Sequence, residues 1–187
     1  MNTPIRLFDW NLRGFGQVGR RNQLREYMRS EDVDIVGLQE TIRQDFTIQE
    51  LEGLSRHKFA WQWLPASRHS GGILLGVKED TFEVEDMDRG EFFLSMALFH
   101  RRSGFRWEVI IVYGPADHAR SSAFPAELHA KVACCTTPLV IVGDFNLIRS
   151  PDDMSSANID LRHMRMFNEC IADLALREIT RVGARYT

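Results

Sequence analysis

The chain has 187 residues, 44% hydrophobic and 26% charged, which is an ordinary globular composition for a single domain (1–187) with a real core. No apolar run approaches the roughly 18 residues that cross a bilayer, and Met1-Asn2-Thr3-Pro4-Ile5-Arg6 lacks the apolar stretch of a leader, so an intracellular protein with no membrane partner is expected. A net charge of −3 argues against a uniformly basic nucleic-acid-binding surface, and Cys134, Cys135 and Cys170 show neither zinc spacing nor a disulfide framework.

In chain order, Ile5 to Asn11 alternates as a strand and runs into the turn-rich Arg13-Gly14-Phe15-Gly16-Gln17-Val18-Gly19. Leu24, Tyr27 and Met28 give helical spacing from about Arg20 to Arg29. Asp34 to Glu40 then repeats the opening pattern, an apolar strand ending in polar residues. After a short helix from Ile48 to Leu54, five strand candidates follow: Phe59–Leu64, Gly72–Val77, Phe82–Met87, Phe92–Arg101 and Arg106–Tyr113. Their short connections predict successive antiparallel hairpins. A helix from Phe124 to Cys135 leads into Leu139-Val140-Ile141-Val142-Gly143-Asp144, a buried strand closed by a glycine. A loop through Pro151, Asp152 and Asp153 precedes a helix from Leu161 to Leu174, with Leu161, Met164, Phe167, Ile171 and Leu174 on one stripe. Short strands are expected at Leu176–Ile179 and from Ala184 to Thr187.

Charge is segregated along the chain. Acids crowd Glu79, Asp80, Glu83, Glu85, Asp86, Asp88 and Glu91, while arginines gather at Arg13, Arg20, Arg21 and Arg25 and again at Arg162, Arg165, Arg177, Arg181 and Arg185. Such a surface could hold a phosphate backbone on one side only. Gly14, Gly16 and Gly19 satisfy G-x-G-x-x-G between a strand and a helix, with Glu40 about 20 residues on, which is the dinucleotide-binding pattern. Against that assignment, the first strand carries Asp9 and Asn11 where the dinucleotide fold needs apolar residues.

Polar residues stand at the end of each apolar strand: Asn11, Glu40, Tyr113, and Asp144 with Asn146. Strand ends remote in sequence can converge on one edge of a packed α/β domain. Such a set suits Mg²⁺, which takes one or two carboxylates and keeps water for phosphate oxygens.

Trp10-Asn11-Leu12-Arg13-Gly14, Gly37-Leu38-Gln39-Glu40-Thr41, Gly71-Gly72-Ile73, Val112-Tyr113-Gly114-Pro115 and Gly143-Asp144-Phe145-Asn146 follow the order of the endonuclease/exonuclease/phosphatase superfamily. More narrowly, the chain resembles the endonuclease domain of plant LINE-type (non-LTR) retrotransposons, where arginine-glycine follows the first asparagine and a pair such as Tyr186-Thr187 comes late. The resemblance implies an α+β fold of the DNase I-like kind, a four-layer α/β/β/α sandwich of two mainly antiparallel sheets with outer helices. It also implies a metal-dependent DNA endonuclease working in the nucleus. Glu40 would ligate Mg²⁺ or Mn²⁺ with Asn11 beside it, and Asp144 would orient and deprotonate the attacking water. Asn146 would hold that water or the scissile phosphate, Tyr113 would hydrogen-bond a phosphate oxygen or the leaving group, and Arg13 and Thr187 would contact substrate. Members of the superfamily end in further strands and a Ser-Asp-His or similar segment that this chain lacks, so the expectation is a truncated domain of weak activity with its last strands missing. A small-molecule phosphoesterase and a non-catalytic binding remnant are the alternatives.

Overall fold

The computed structural model describes residues 4–67, 71–153 and 160–179. The described residues form eight strands: β1 (Leu7–Asn11), β2 (Ile35–Gln39), β3 (Phe59–Leu64), β4 (Ile73–Lys78), β5 (Phe82–Arg89), β6 (Phe93–His100), β7 (Arg106–Tyr113) and β8 (Leu139–Asp144). The helices are α1 (Val18–Ser30), α2 (Ile48–Glu52), α3 (Ala123–Cys134) and α4 (Leu161–Asp173). The chain divides into two compact units, Met1–Tyr113 with Cys135–Asp144, and Gly114–Cys134 with Phe145–Thr187.

The first unit contains both sheets, ordered β1-β2-β4-β3 and β5-β6-β7-β8. Its strands alternate in their allegiance. Ile35, Ile73, Leu75 and Val77 of the first sheet meet Leu94, Met96, Leu98, Val109 and Ile111 of the second in a fully buried layer. The intervening residues Val36, Leu38, Leu74 and Phe59 point the other way, toward Leu24 and Met28 of α1 and Leu51 of α2. Fully burying side chains of this size stabilises by roughly 1.5–3 kcal/mol each, so the alternation fixes strand register.

The α1 helix ends where Asp32 adopts a left-handed backbone (φ 49°). A capping box starts α2: Thr47 accepts from Glu50 N, and the Glu50 carboxylate accepts from Thr47 N.

The expected antiparallel pairing holds for β3–β4, β5–β6 and β6–β7, and also for β2–β4. It fails at β4 and β5. The turn Glu79–Thr81 carries the chain from one sheet to the other, because Phe82 enters the layer between the sheets. Two pairs are parallel, β1 with β2 and β7 with β8, and each is joined through a helix. Strand β5 forms an outer edge, broken by a bulge at Val84/Asp86. Among its acids, Glu83 pairs with Arg101 (3.3 Å) and Glu85 with Arg106 (2.9 Å).

In the second unit Phe145 touches Phe124 of α3 and Phe167 of α4, with centroids 6.0 and 5.4 Å away. Asp160 caps α4 through Arg162 N and His163 N. The buried face of α4 is Phe167 and Cys170, while Leu161, placed on the stripe by its spacing, is 50% exposed. Residues Leu176–Ile179 form no strand, since the backbone N–H of Leu176 is taken by Ile171 O as the helix unwinds. The stretch Ala184–Thr187 lies outside the described residues. Among the described residues no helix is long and apolar enough to cross a membrane.

Gly143 combines φ 134° with a position where an added Cβ would run into the Val112 carbonyl of the neighbouring strand. Gly143→Ala is expected to lower stability by roughly 2–4 kcal/mol, read as a lower urea midpoint at unchanged m value.

Candidate active site

Because β1 runs parallel to β2 and β7 parallel to β8, Asn11 lies beside Gln39 and Tyr113 beside Asp144. All four strands therefore deliver their C-terminal residues to one end of the first unit. There the Asn11 amide joins the two sheets: Nδ2 donates to Glu40 Oε1 and to Asp144 Oδ2, each at 2.8 Å. Tyr113, half-buried, donates its hydroxyl to Glu40. Burial, followed by the charge and hydrogen bond of Glu40 and the charge of Asp144, pushes the phenol up to about 12 against the opposing charge of Arg13. Tyr113 is therefore a donor throughout the physiological range.

Glu40 lies just past β2 with a left-handed backbone (φ 50°), and Arg13 and Asn146 share that conformation (φ 51° and 50°). Each costs on the order of 1–3 kcal/mol and persists only where the surroundings over-determine it. Around Glu40 they do. Gly14 N donates to Glu40 O at 2.7 Å, Phe15 N to Thr41 O at 2.9 Å, and Ile42 N to Gly71 O at 2.7 Å. Gly71 packs so closely that an added Cβ would sit 2.9 Å from Glu40 Cα. These bonds also dispose of the dinucleotide pattern, because the glycine-rich loop spends its Gly14 and Phe15 N–H groups on protein carbonyls and has none there to cradle a phosphate.

Arg13 is exposed, and its carbonyl accepts from Arg20 Nη1 at 2.5 Å. Asn146 belongs to the second unit, where Nδ2 donates to Gly114 O at 2.7 Å. Thr187 lies outside the described residues. The structure thus gathers Asn11, Glu40, Tyr113 and Asp144, with the Arg13 charge in reach.

Two neighbours escaped sequence reasoning. Gln39, fully buried, donates from Nε2 to Asp9 Oδ1 at 2.6 Å, and Gly37 makes room for that carboxylate, since an added Cβ would come within 2.9 Å of it and 2.5 Å of Ile111 Cδ1. The available signal was the alternation Leu7, Asp9, Asn11, which sets Asp9 on the face between the sheets. Burial raises Asp9 to about 6, opposed by the Gln39 hydrogen bond and reinforced by Asp144.

For a cation, the donors are oxygens only. Asn11 Oδ1 is buried with no partner among the described residues, and it stands next to the Glu40 carboxylate. No cluster of three or more His, Cys, Asp or Glu side chains able to hold a metal is present among the described residues. One carboxylate and one amide oxygen fit a hard ion such as Mg²⁺ that retains most of its water, and do not fit zinc.

The sequence profile described as the Endonuclease/Exonuclease/phosphatase family matches residues 10–186. The chain belongs to the endonuclease/exonuclease/phosphatase family. Solved structures share the fold. The AP endonuclease LMAP of Leishmania major aligns with a TM-score of 0.72 at 15% identity, over 91% of this chain and 66% of that one. The human Nocturnin catalytic domain with bound sulfate gives 0.60 at 19% identity, over 82% and 69%. The mannosyl-6-phosphatase of Bacteroides thetaiotaomicron gives 0.61 at 13%, over 89% and 70%. The chain spans just under two thirds of the Leishmania protein's length. At these identities the likeness shows the DNase I-like α+β fold alone. No curated protein sequence matches the chain. The family is known for acting on phosphoesters, and the oxygen-only donor set at Asn11 and Glu40 agrees with the divalent-metal dependence general among its members.

Asp9 supplies a pH test of this geometry. Its folded value of about 6 lies above the ordinary 3.8, so the folded state retains a proton that the unfolded state has released, and stability falls as pH rises between those values. The expected loss is about 3 kcal/mol. Urea titrations in a chelator between pH 3.5 and 7 are expected to show this decline in the difference between wild type and Asp9→Asn, since carboxylates held low by their partners, such as Asp32 and Glu50, shift both proteins alike.

Proposed function

We propose that the chain is a divalent-metal-dependent phosphodiesterase that cuts DNA, of the kind carried by plant LINE-type retroelements, with its work in the nucleus. The observation that carries this reading is the Asn11 amide, which holds Glu40 and Asp144 at 2.8 Å each while its own Oδ1 is buried with no partner among the described residues. A buried amide oxygen with no donor is costly unless a cation or a polar ligand completes it.

In this reading Asn11 and Glu40 hold Mg²⁺ or Mn²⁺. Bound there, the ion offsets charge on phosphoryl oxygens. Asp144, its orientation fixed by Asn11, takes the proton of a water as that water's oxygen bonds to phosphorus. The bond from phosphorus to the ester oxygen breaks in line, and the departing alkoxide is protonated from solvent. Tyr113, held protonated, turns its single O–H from Glu40 to a phosphoryl oxygen once the ester is bound, and Arg13 meets the backbone phosphate from the exposed rim.

The ordered motifs, with Arg13-Gly14 and Tyr186-Thr187, favour DNA. Small phosphoesters are the second reading, supported by the similarity to a mannosyl-6-phosphatase at a TM-score of 0.61.

Nicking of supercoiled plasmid in Mg²⁺ decides between them. The expected outcome is slow nicking that falls at least about 10²-fold in Asp144→Ala. Mn²⁺ binding followed by calorimetry is expected to vanish in Glu40→Ala. Equal nicking by Asp144→Ala, or phosphate release from sugar phosphates with plasmid left intact, would overturn the DNA reading.

A further inference from the structure

Ile42 is unusual in two independent ways. Its side chain is 64% exposed, and its backbone is left-handed, with φ 52°. A β-branched residue in that region is a genuine outlier, because the branched Cβ crowds the backbone. Glycine or asparagine is what a turn there would ordinarily use.

The strain is held from both sides. Thr41 N bonds to Gly72 O at 3.3 Å, Ile42 N to Gly71 O at 2.7 Å, and Ala66 N to Arg43 O at 2.8 Å. Arg43 next pairs with Glu50 at 3.1 Å and lies over the Phe46 ring, 5.7 Å from its centroid. Gly71 is the residue pressed against Glu40, so a single turn sets both Glu40 and Ile42. Ile42 itself belongs to neither apolar core. The fold thus spends constraint on displaying an apolar side chain two residues from the carboxylate proposed to hold the metal.

The adjoining loop supplies charge. It is tied to this one by Gly14 N to Glu40 O and Phe15 N to Thr41 O, and it carries exposed Arg13 and, at the start of α1, Arg21 over the Phe15 ring at 5.9 Å. A polymer with phosphates along its backbone and apolar sugar and base edges beside them matches this pairing of cation and isoleucine.

We infer that Ile42 is a substrate-contact residue, packing against the sugar or base edge of the nucleotide next to the scissile phosphate in duplex DNA. The inference rests on the DNA-cleaving reading above. It extends that reading by assigning an apolar contact that determines preference for polymeric substrate over small diesters.

The test uses four proteins: wild type, Ile42→Gly, Ile42→Asn and Ile42→Val. Melting temperature, affinity for a fluorescein-labelled duplex in Ca²⁺ and turnover of bis(p-nitrophenyl) phosphate in Mg²⁺ are measured for each. Gly and Asn relieve the left-handed strain, so both variants are expected to melt above wild type while binding the duplex about fivefold more weakly or worse, the equivalent of losing one apolar contact. Val keeps the apolar branch and is expected within about twofold of wild type. Turnover of the small diester is the comparison: a fall in Ile42→Gly or Ile42→Asn as large as their loss of duplex affinity would overturn the inference, because the contact assigned to Ile42 is with the polymer. Wild-type duplex affinity in Ile42→Gly and Ile42→Asn would overturn the inference and leave the DNA reading standing. A lower melting temperature in Ile42→Gly would overturn the strain it depends on. No duplex binding by wild type would overturn the DNA reading and the inference together.

Discussion

One amide nitrogen joins the two sheets of the first unit at their functional end. Asn11 Nδ2 has two hydrogens and gives one to a carboxylate from each sheet, Glu40 beyond β2 and Asp144 ending β8. Two carboxylates drawn toward one place would repel each other and lose hydration, at a cost that grows steeply as the local dielectric falls. A neutral double donor relieves both effects without neutralising either charge. That requirement dictates much of the surrounding chain. Strands β1 and β8 must end at the same level, which parallel pairing with β2 and β7 accomplishes, and a second donor, Tyr113, must reach Glu40 from the neighbouring strand.

The layer beneath is equally constrained. Asp9 and Gln39 lie between the sheets beside aliphatic residues, and their mutual hydrogen bond at 2.6 Å is possible only because Gly37 leaves the space. The site therefore rests on a polar floor inside an apolar sandwich. Such floors hold groups in one arrangement more firmly than apolar contacts alone, at some expense in stability.

Most of the strands and helices were legible because strand alternation and helical spacing are local, and they placed Arg106–Tyr113 and the span of α2's first turn closely. The passage from β4 to β5 was not. A three-residue turn between two apolar runs looks the same whether the second run folds back or crosses to another sheet, and only Phe82's place in the core between sheets decides it. Asn11, Glu40, Tyr113 and Asp144 stood out as polar groups terminating apolar strands. Their convergence was not derivable from spacing, since it follows from which strands run parallel. Asp9 and Gln39 were hidden for the opposite reason: a polar residue within a strand looks solvent-facing until a second sheet covers it. Ile42 carried no sequence signal at all, because its strain exists only in the backbone.

The bulged outer strand β5 has a consequence for how any polyanion would meet the molecule. Its row of carboxylates, among them Glu83 paired with Arg101 and Glu85 with Arg106, lies on one edge of the second sheet, whereas Arg13, Arg20 and Arg21 follow the end of β1 in the first. With screening lengths near 8 Å in physiological salt, the two fields act separately, one turning phosphates away and the other drawing them in. The first unit is in effect a dipole in front of any polyanion. Such a field would turn an approaching polyanion toward the arginines before contact, and an acidic edge of this kind disfavours the addition of another strand to the sheet.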